Sequence, residues 1–194
     1  TINENFDLDI KDYAVVNFKS FIDIVDIIGG VDINVNEKEI HHLNEVIKEC
    51  YGVNHEDTKN IEYITSSGNH NLNGYQALAF SRIRYTDSAF HREARHREVA
   101  ESVYKEFAQK GVETYKKCAE IILNNTKTNI SPIEMMNLAY TVLKINDKDI
   151  DQFQFPLEEY RNGHIINKQK GWVLEWDKEP NLEAWHKFIF GENK

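Results

Sequence analysis

The 194-residue chain carries 32 acidic against 23 basic side chains, a formal net charge of −9, with 41% apolar and 28% charged residues. That length suits one domain with a sizeable core, so residues 1–194 read as a single unit, and the acidity argues against the broad basic face that generic DNA or RNA binding requires. No run approaches the roughly 18 apolar residues that a membrane-spanning helix needs.

Tyr13 to Val16 reads as a short buried strand. Phe18, Phe21, Ile22, Val25 and Ile28 follow helical spacing, and Gly29-Gly30 stops that helix. Val31, Ile33 and Val35 alternate with Asp32 and Asn34 as a half-exposed strand does. Strand, helix and strand with short joints predict a βαβ unit with two parallel strands. Ile40, Leu43, Ile47 and Cys50 mark a further amphipathic helix, whereas Tyr51 to Asn71 is polar and gives little beyond a turn at Ser66-Ser67-Gly68. Asn73 can cap a helix over Gly74 to Phe80, running into an extended exit with Arg82 and Arg84 at or past its end. A strand over Leu78 to Arg84 competes, and would set both arginines on one face.

Asp87 or Ser88 can open the next helix and Gly111 stop it, with Ala94, Val99, Val103 and Phe107 near one stripe. Tyr115, Ala119, Ile122 and Leu123 give another helix, ending in Asn124-Asn125-Thr126. Ser131-Pro132-Ile133-Glu134 has cap, proline and capping-box glutamate in place for a helix to about Leu143. Asp149 to Phe155 reads as a strand stopped by Pro156, Arg161-Asn162-Gly163 as a turn, and Trp172 to Trp176 as a strand. Asn181 is the expected cap of a last helix bearing Leu182, Trp185, Phe188 and Ile189. Together these predict an α/β layered domain, a mixed central sheet flanked by helices on both sides.

Cys50 and Cys118 stand far apart without a C-x-x-C, and can be paired or be buried thiols. The histidines make a poor metal set: His41 and His42 are adjacent, hence expected on different sides of a helix, and His91 and His96 are five apart.

Five of the six arginines, Arg82, Arg84, Arg92, Arg95 and Arg97, fall within sixteen positions. A guanidinium is planar, always charged and able to grip phosphate or carboxylate oxygens through two parallel hydrogen bonds. Arg92, Arg95 and His96 lie in the first turns of their expected helix, where cations oppose the macrodipole but free N–H groups welcome an anion. The alternative is a surface salt-bridge network with the chain's many carboxylates.

The series Leu72-Asn73-Gly74, Ala77-Leu78, Phe80-x-Arg82-x-Arg84 and Phe90-x-Arg92-x-x-Arg95 resembles the signature of the LytR–CpsA–Psr family. The earlier run from Tyr13 to Gly29-Gly30-Val31 is similar to a family segment too. The resemblance covers Phe6 to about Phe155, and more loosely the rest. It implies attachment of a glycopolymer, such as teichoic acid or capsule, from a polyprenyl-pyrophosphate carrier to peptidoglycan at the extracytoplasmic face of the membrane. It implies that Arg82, Arg84 and Arg92 bind the pyrophosphate and serve catalysis, with Arg95 and His96 completing or supporting that shell. It implies magnesium, whose main ligands are expected in a preceding part of the domain, with Asp87 the one candidate in this chain. A membrane anchor is likewise expected in a segment outside these 194 residues.

Three positions depart from the family's pattern: Ala89 where Asp is common, His91 where Gly is, and His96 where Gln is. His96 can still donate a hydrogen bond to a phosphate oxygen. The alternative reading is a non-catalytic module that holds a polyprenyl phosphate or phosphoglycan, or a cell-envelope regulator.

Overall fold

The computed structural model describes residues 1–53, 61–84, 89–125, 127–144, 150–168 and 171–191. The chain divides into two units, Asp12–Asp149 and a second built from Thr1–Lys11 with Ile150–Lys194. In chain order the elements are α1 (Ile2–Phe6), β1 (Ala14–Val15), α2 (Phe18–Ile28), β2 (Val31–Val35), α3 (Glu37–Val53), β3 (Gly68–Leu72) and α4 (Gly74–Arg82). They continue with α5 (Ala89–Ala108), α6 (Val112–Asn125), β4 (Lys127–Thr128), α7 (Pro132–Lys144), β5 (Arg161–Asn167), β6 (Gly171–Trp176) and α8 (Lys178–Phe190). None of the described helices is long and apolar enough to cross a membrane.

In the larger unit the α2 helix starts where the Asn17 side chain accepts the Ser20 N–H at 2.8 Å, and ends at Gly29 in the left-handed region. Gly30 is left-handed as well, and a Cβ there would collide with Asn71 and Leu72. This pair of glycines delivers β2 alongside β3, antiparallel, from Val31 opposite Leu72 to Val35 opposite Gly68. Val31, Ile33 and Val35 are buried while Asp32 and Asn34 are exposed. They meet Ile22, Val25 and Ile28 of α2, Leu43 and Ile47 of α3, and Phe80 of α4 in one apolar core. Burying such aliphatic side chains stabilises the unit by about 1.5–3 kcal/mol each.

Two sequence expectations are corrected here. The parallel βαβ unit does not form: β1 pairs antiparallel with β4 and β2 antiparallel with β3. The partner of β2 was hidden because β3, Gly68-Asn69-His70-Asn71-Leu72, has a single apolar residue, with Asn69 and Asn71 exposed and His70 half-buried. The Tyr13–Val16 run is not buried either. Tyr13, Val15 and Val16 are exposed, and β1 is held mainly by polar bonds, Asn129 Oδ1 accepting the Tyr13 N–H at 2.9 Å and Thr128 Oγ1 donating to Tyr13 O at 2.6 Å.

On α3, His41 and His42 do not point apart as expected, since both rings approach the carboxylate of Glu45. Cys50 and Cys118 are buried free thiols, pushed above the usual thiol range by burial. The capping box at Ser131 and Glu134 forms as predicted.

In the second unit, β5 and β6 make an antiparallel hairpin from Arg161 opposite Trp176 to Asn167 opposite Gly171. Arg161-Asn162-Gly163 therefore opens a strand rather than a turn, and Gly163 is there because the Trp172 ring lies against it. Ile150 to Phe155 is irregular, not a strand. Asn181 is not a cap but a fully buried tie: it accepts the Leu157 N–H at 2.7 Å and donates to Asp177 O at 2.7 Å and Tyr160 O at 3.1 Å. Phe6, Phe155, Trp176 and Trp185 pack around one another.

Candidate functional site

The site grows from the two ends of α4. At its start Asn73 Oδ1 accepts the Gln76 N–H at 3.0 Å and Gln76 Oε1 accepts the Asn73 N–H at 2.9 Å, a reciprocal capping box. Gly74 donates its N–H to Asp26 Oδ1 at 2.7 Å, and a side chain at this position would run into the Ile22 backbone of α2. The Leu72-Asn73-Gly74 triplet is thus a packing and capping device.

The exit of α4 is held from outside. At Ile83 the backbone turns extended (φ −56°, ψ 130°). Two side chains of α5 take carbonyls there: Arg95 Nη2 donates to Ile83 O at 2.9 Å, and the His96 Nε2–H to Ser81 O at 2.8 Å. Arg95, 5% exposed, is itself oriented by Glu39 of α3, Nη1 to Oε1 at 3.2 Å. The expected helix with an extended exit is therefore the arrangement found, and three helices fix where it points.

The remaining arginines are placed differently. Arg82, half-buried, lies over the Phe18 ring of α2, 4.9 Å from its centroid, with Nη1 3.8 Å from the Cys50 sulfur of α3. Arg84 is exposed and Arg92 half-buried on the first turn of α5. Among the described residues none of these three has a carboxylate partner, whereas Arg95 does. The salt-bridge reading of the cluster therefore holds for Arg95 and not for Arg82, Arg84 or Arg92. Asp87, the expected metal ligand, lies outside the described residues, as does the proposed Asp87/Ser88 cap.

An apolar cleft of about 310 Å³ is lined by Phe18 and Phe21 of α2, Leu78 of α4, and His96 and Val99 of α5. Phe18 belongs to both features, so a delocalised positive charge and an apolar hollow meet at one ring. A second recess of about 810 Å³ opens beside Arg95, where Glu37, Glu39, His91 and Glu98 gather. Burial there, with Glu39 and Glu101 adding repulsion, pushes the Glu98 carboxyl above its usual range despite an Asn34 backbone hydrogen bond and nearby Arg95.

Sequence reasoning singled out Arg82, Arg95 and His96, and Arg95 and His96 bond the backbone carbonyls on either side of Arg82, but it missed Glu39 and Phe18. Glu39 sits 56 positions from its arginine, and no local pattern announces such a pair. Phe18 was read as one member of a core stripe, but it is exposed at the rim. As for magnesium, the described residues offer no group of three potential ligands beside the arginines, and the group they do offer lies on α3.

Residues 1–185 match the profile of the LytR_cpsA_psr family. The chain is 30% identical over 144 residues to the polyisoprenyl-teichoic acid–peptidoglycan teichoic acid transferase TagU of Bacillus cereus, covering 71% of this chain and 40% of that protein. It is 31% identical over 133 residues to biofilm regulatory protein A of Streptococcus mutans, covering 67% and 30%. Among solved structures, Bacillus subtilis TagV superposes with a TM-score of 0.69 at 22% identity, over 97% of this chain and 66% of that one. TagT bound to LIIa-WTA gives 0.69 at 21% identity, over 97% and 63%. At these identities the structural likeness is one of fold, and it bears out the α/β class. The chain spans about 40% of the length of the TagU relatives that it matches.

Proposed function

Because this chain belongs to the LytR–CpsA–Psr family, we propose that its Arg82–Arg92 segment binds the pyrophosphate of a polyprenyl-linked glycopolymer, as part of a transferase that hands the polymer to peptidoglycan. The observation that carries this reading is the trio Arg82, Arg84 and Arg92, without carboxylate partners among the described residues in a chain of net charge −9, with Arg82 sharing Phe18 with an apolar cleft. A ligand with a compact double anion at one end and a long apolar tail suits both halves. The names of the TagU relatives and the TagT complex with LIIa-WTA support the same class of substrate.

In the proposed reaction a sugar hydroxyl of peptidoglycan attacks the phosphorus that bears the glycopolymer. The bond from that phosphorus to the bridging oxygen breaks, polyprenyl phosphate leaves, and the hydroxyl proton goes to solvent or a base. Such chemistry asks the protein chiefly for positioning and for neutralising charge on the non-bridging oxygens. Arg82, Arg84 and Arg92 do this directly, while Arg95 and His96 hold the carbonyls that aim Arg82 and Arg84. Magnesium enters this reading from the family resemblance alone, with Asp87 its one candidate ligand in this chain, and no step here is routed through it. The same reading puts the protein on the extracytoplasmic face, tethered by a segment outside these residues, and expects no nucleic-acid partner.

Titrating the chain with a short-chain polyprenyl pyrophosphate tests the proposal. Losing one charge-assisted contact costs about 1.5–3 kcal/mol, so Arg92→Ala should weaken binding by roughly one to two orders of magnitude. Unchanged affinity in Arg82→Ala and Arg92→Ala would remove the segment from the site. Ala89, standing where the family commonly has Asp, favours a second reading, a module that binds the same ligand without turnover. Transfer of lipid-linked polymer by the full protein would eliminate it.

A further inference from the structure

On α3, away from the arginines, His41, His42 and Glu45 bring three ligand atoms within 4.8 Å of one another. His41 Nε2 lies 3.6 Å from Glu45 Oε1, His42 Nδ1 lies 3.2 Å from Oε2, and the two rings are 5.2 Å apart. The spacing i, i+1, i+4 produces this because both histidines reach toward the turn that carries Glu45. A helical His–Glu pair needs only one imidazole per carboxylate; here two converge on it, and among the described residues this is the one such group of three.

We propose that His41, His42 and Glu45 form a surface site for a divalent transition ion, with Zn²⁺ as the representative occupant. Zinc bonds to imidazole nitrogen and carboxylate oxygen are about 2.0–2.2 Å, so two ligand atoms on one tetrahedral ion stand about 3.4 Å apart. The observed 3.6 and 3.2 Å approaches reach Oε1 and Oε2 of Glu45 respectively, so a turn of the carboxylate that presents one oxygen to both imidazoles brings the set toward that spacing. His41 is 79% exposed and free to close the third edge by rotation. Two imidazoles and one carboxylate suit zinc, nickel or copper, while magnesium prefers an all-oxygen shell. Three protein ligands leave a position for water or an outside ligand. Cys50 and Cys118 do not compete, being buried thiols that burial disfavours as thiolates.

The test is calorimetric titration of this chain with zinc chloride, with magnesium chloride run separately, followed by thermal melts with and without zinc. Zinc should saturate at one equivalent and raise the melting temperature, and magnesium should do neither. His41→Ala and His42→Ala should each weaken zinc binding by about tenfold or more and abolish the zinc-dependent shift. Because His41 is largely exposed, its variant keeps the fold, and the metal-free melt checks this. Failure of the wild-type chain to saturate below millimolar zinc would overturn the proposal. So would titrations of both histidine variants that match wild type.

Discussion

The two ends of α4 are closed by opposite means. Its start is capped locally by the Asn73–Gln76 box, with Gly74 bonded to Asp26 and packed against Ile22 of α2. Its exit is held by residues from elsewhere, Arg95 and His96 of α5 and, behind Arg95, Glu39 of α3. The difference separates two kinds of arginine in one cluster. Arg95 is consumed in holding the chain, whereas Arg82, Arg84 and Arg92 keep their charge without a described carboxylate partner. A run of like residues in sequence thus holds one arginine in the scaffold and leaves three others without a described carboxylate partner.

The comparison can be broken at either end. The largest expected effect is at the exit: Arg95→Ala leaves the mostly buried Glu39 carboxylate with only its Asn36 hydrogen bonds and no counter-charge among the described residues, and should cost about 3 kcal/mol in denaturant unfolding. Adding Glu39→Gln should recover part of the loss, because a neutral amide no longer sits buried as an unpaired charge. At the start, Gly74→Ala drives a methyl into the α2 backbone and should cost about 2 kcal/mol. Asn73→Ala removes only the cap, about 1 kcal/mol, and equal losses from these two variants would mean that α2 yields to the methyl.

The smallest effect is a pH dependence at Glu98. Its raised carboxyl means that the folded chain holds this proton more tightly than the unfolded one. That contribution is present below the ordinary carboxylate range and is lost as pH rises through the folded value. Glu98→Gln should therefore melt slightly above wild type at neutral pH, with the gap closing in acid. A gap that persists in acid would place its origin in packing rather than charge.

Local signals were legible wherever a single segment decides its own structure. Asn73 and Ser131 cap as their sequences predict, and the alternation in Val31–Val35 gives the buried face directly. Pairing was not legible, because β3 spends its backbone on β2 while showing polar side chains that read as loop. Asn181 misled for the converse reason: a good capping residue was taken up by three backbone groups inside the unit. In the site the arginines were visible as a cluster. Which of them is spent depended on Glu39, 56 positions away.

The most direct test of the central claim is to measure, for Arg92→Ala and Arg95→Ala side by side, both the affinity for a short-chain polyprenyl pyrophosphate and the melting temperature. The account predicts that Arg92→Ala loses one to two orders of magnitude in affinity, for about 1.5–3 kcal/mol, with an unchanged melt, while Arg95→Ala melts markedly lower. An Arg92→Ala chain that binds as tightly as wild type, or that melts as low as Arg95→Ala, would contradict the division between open and consumed arginines.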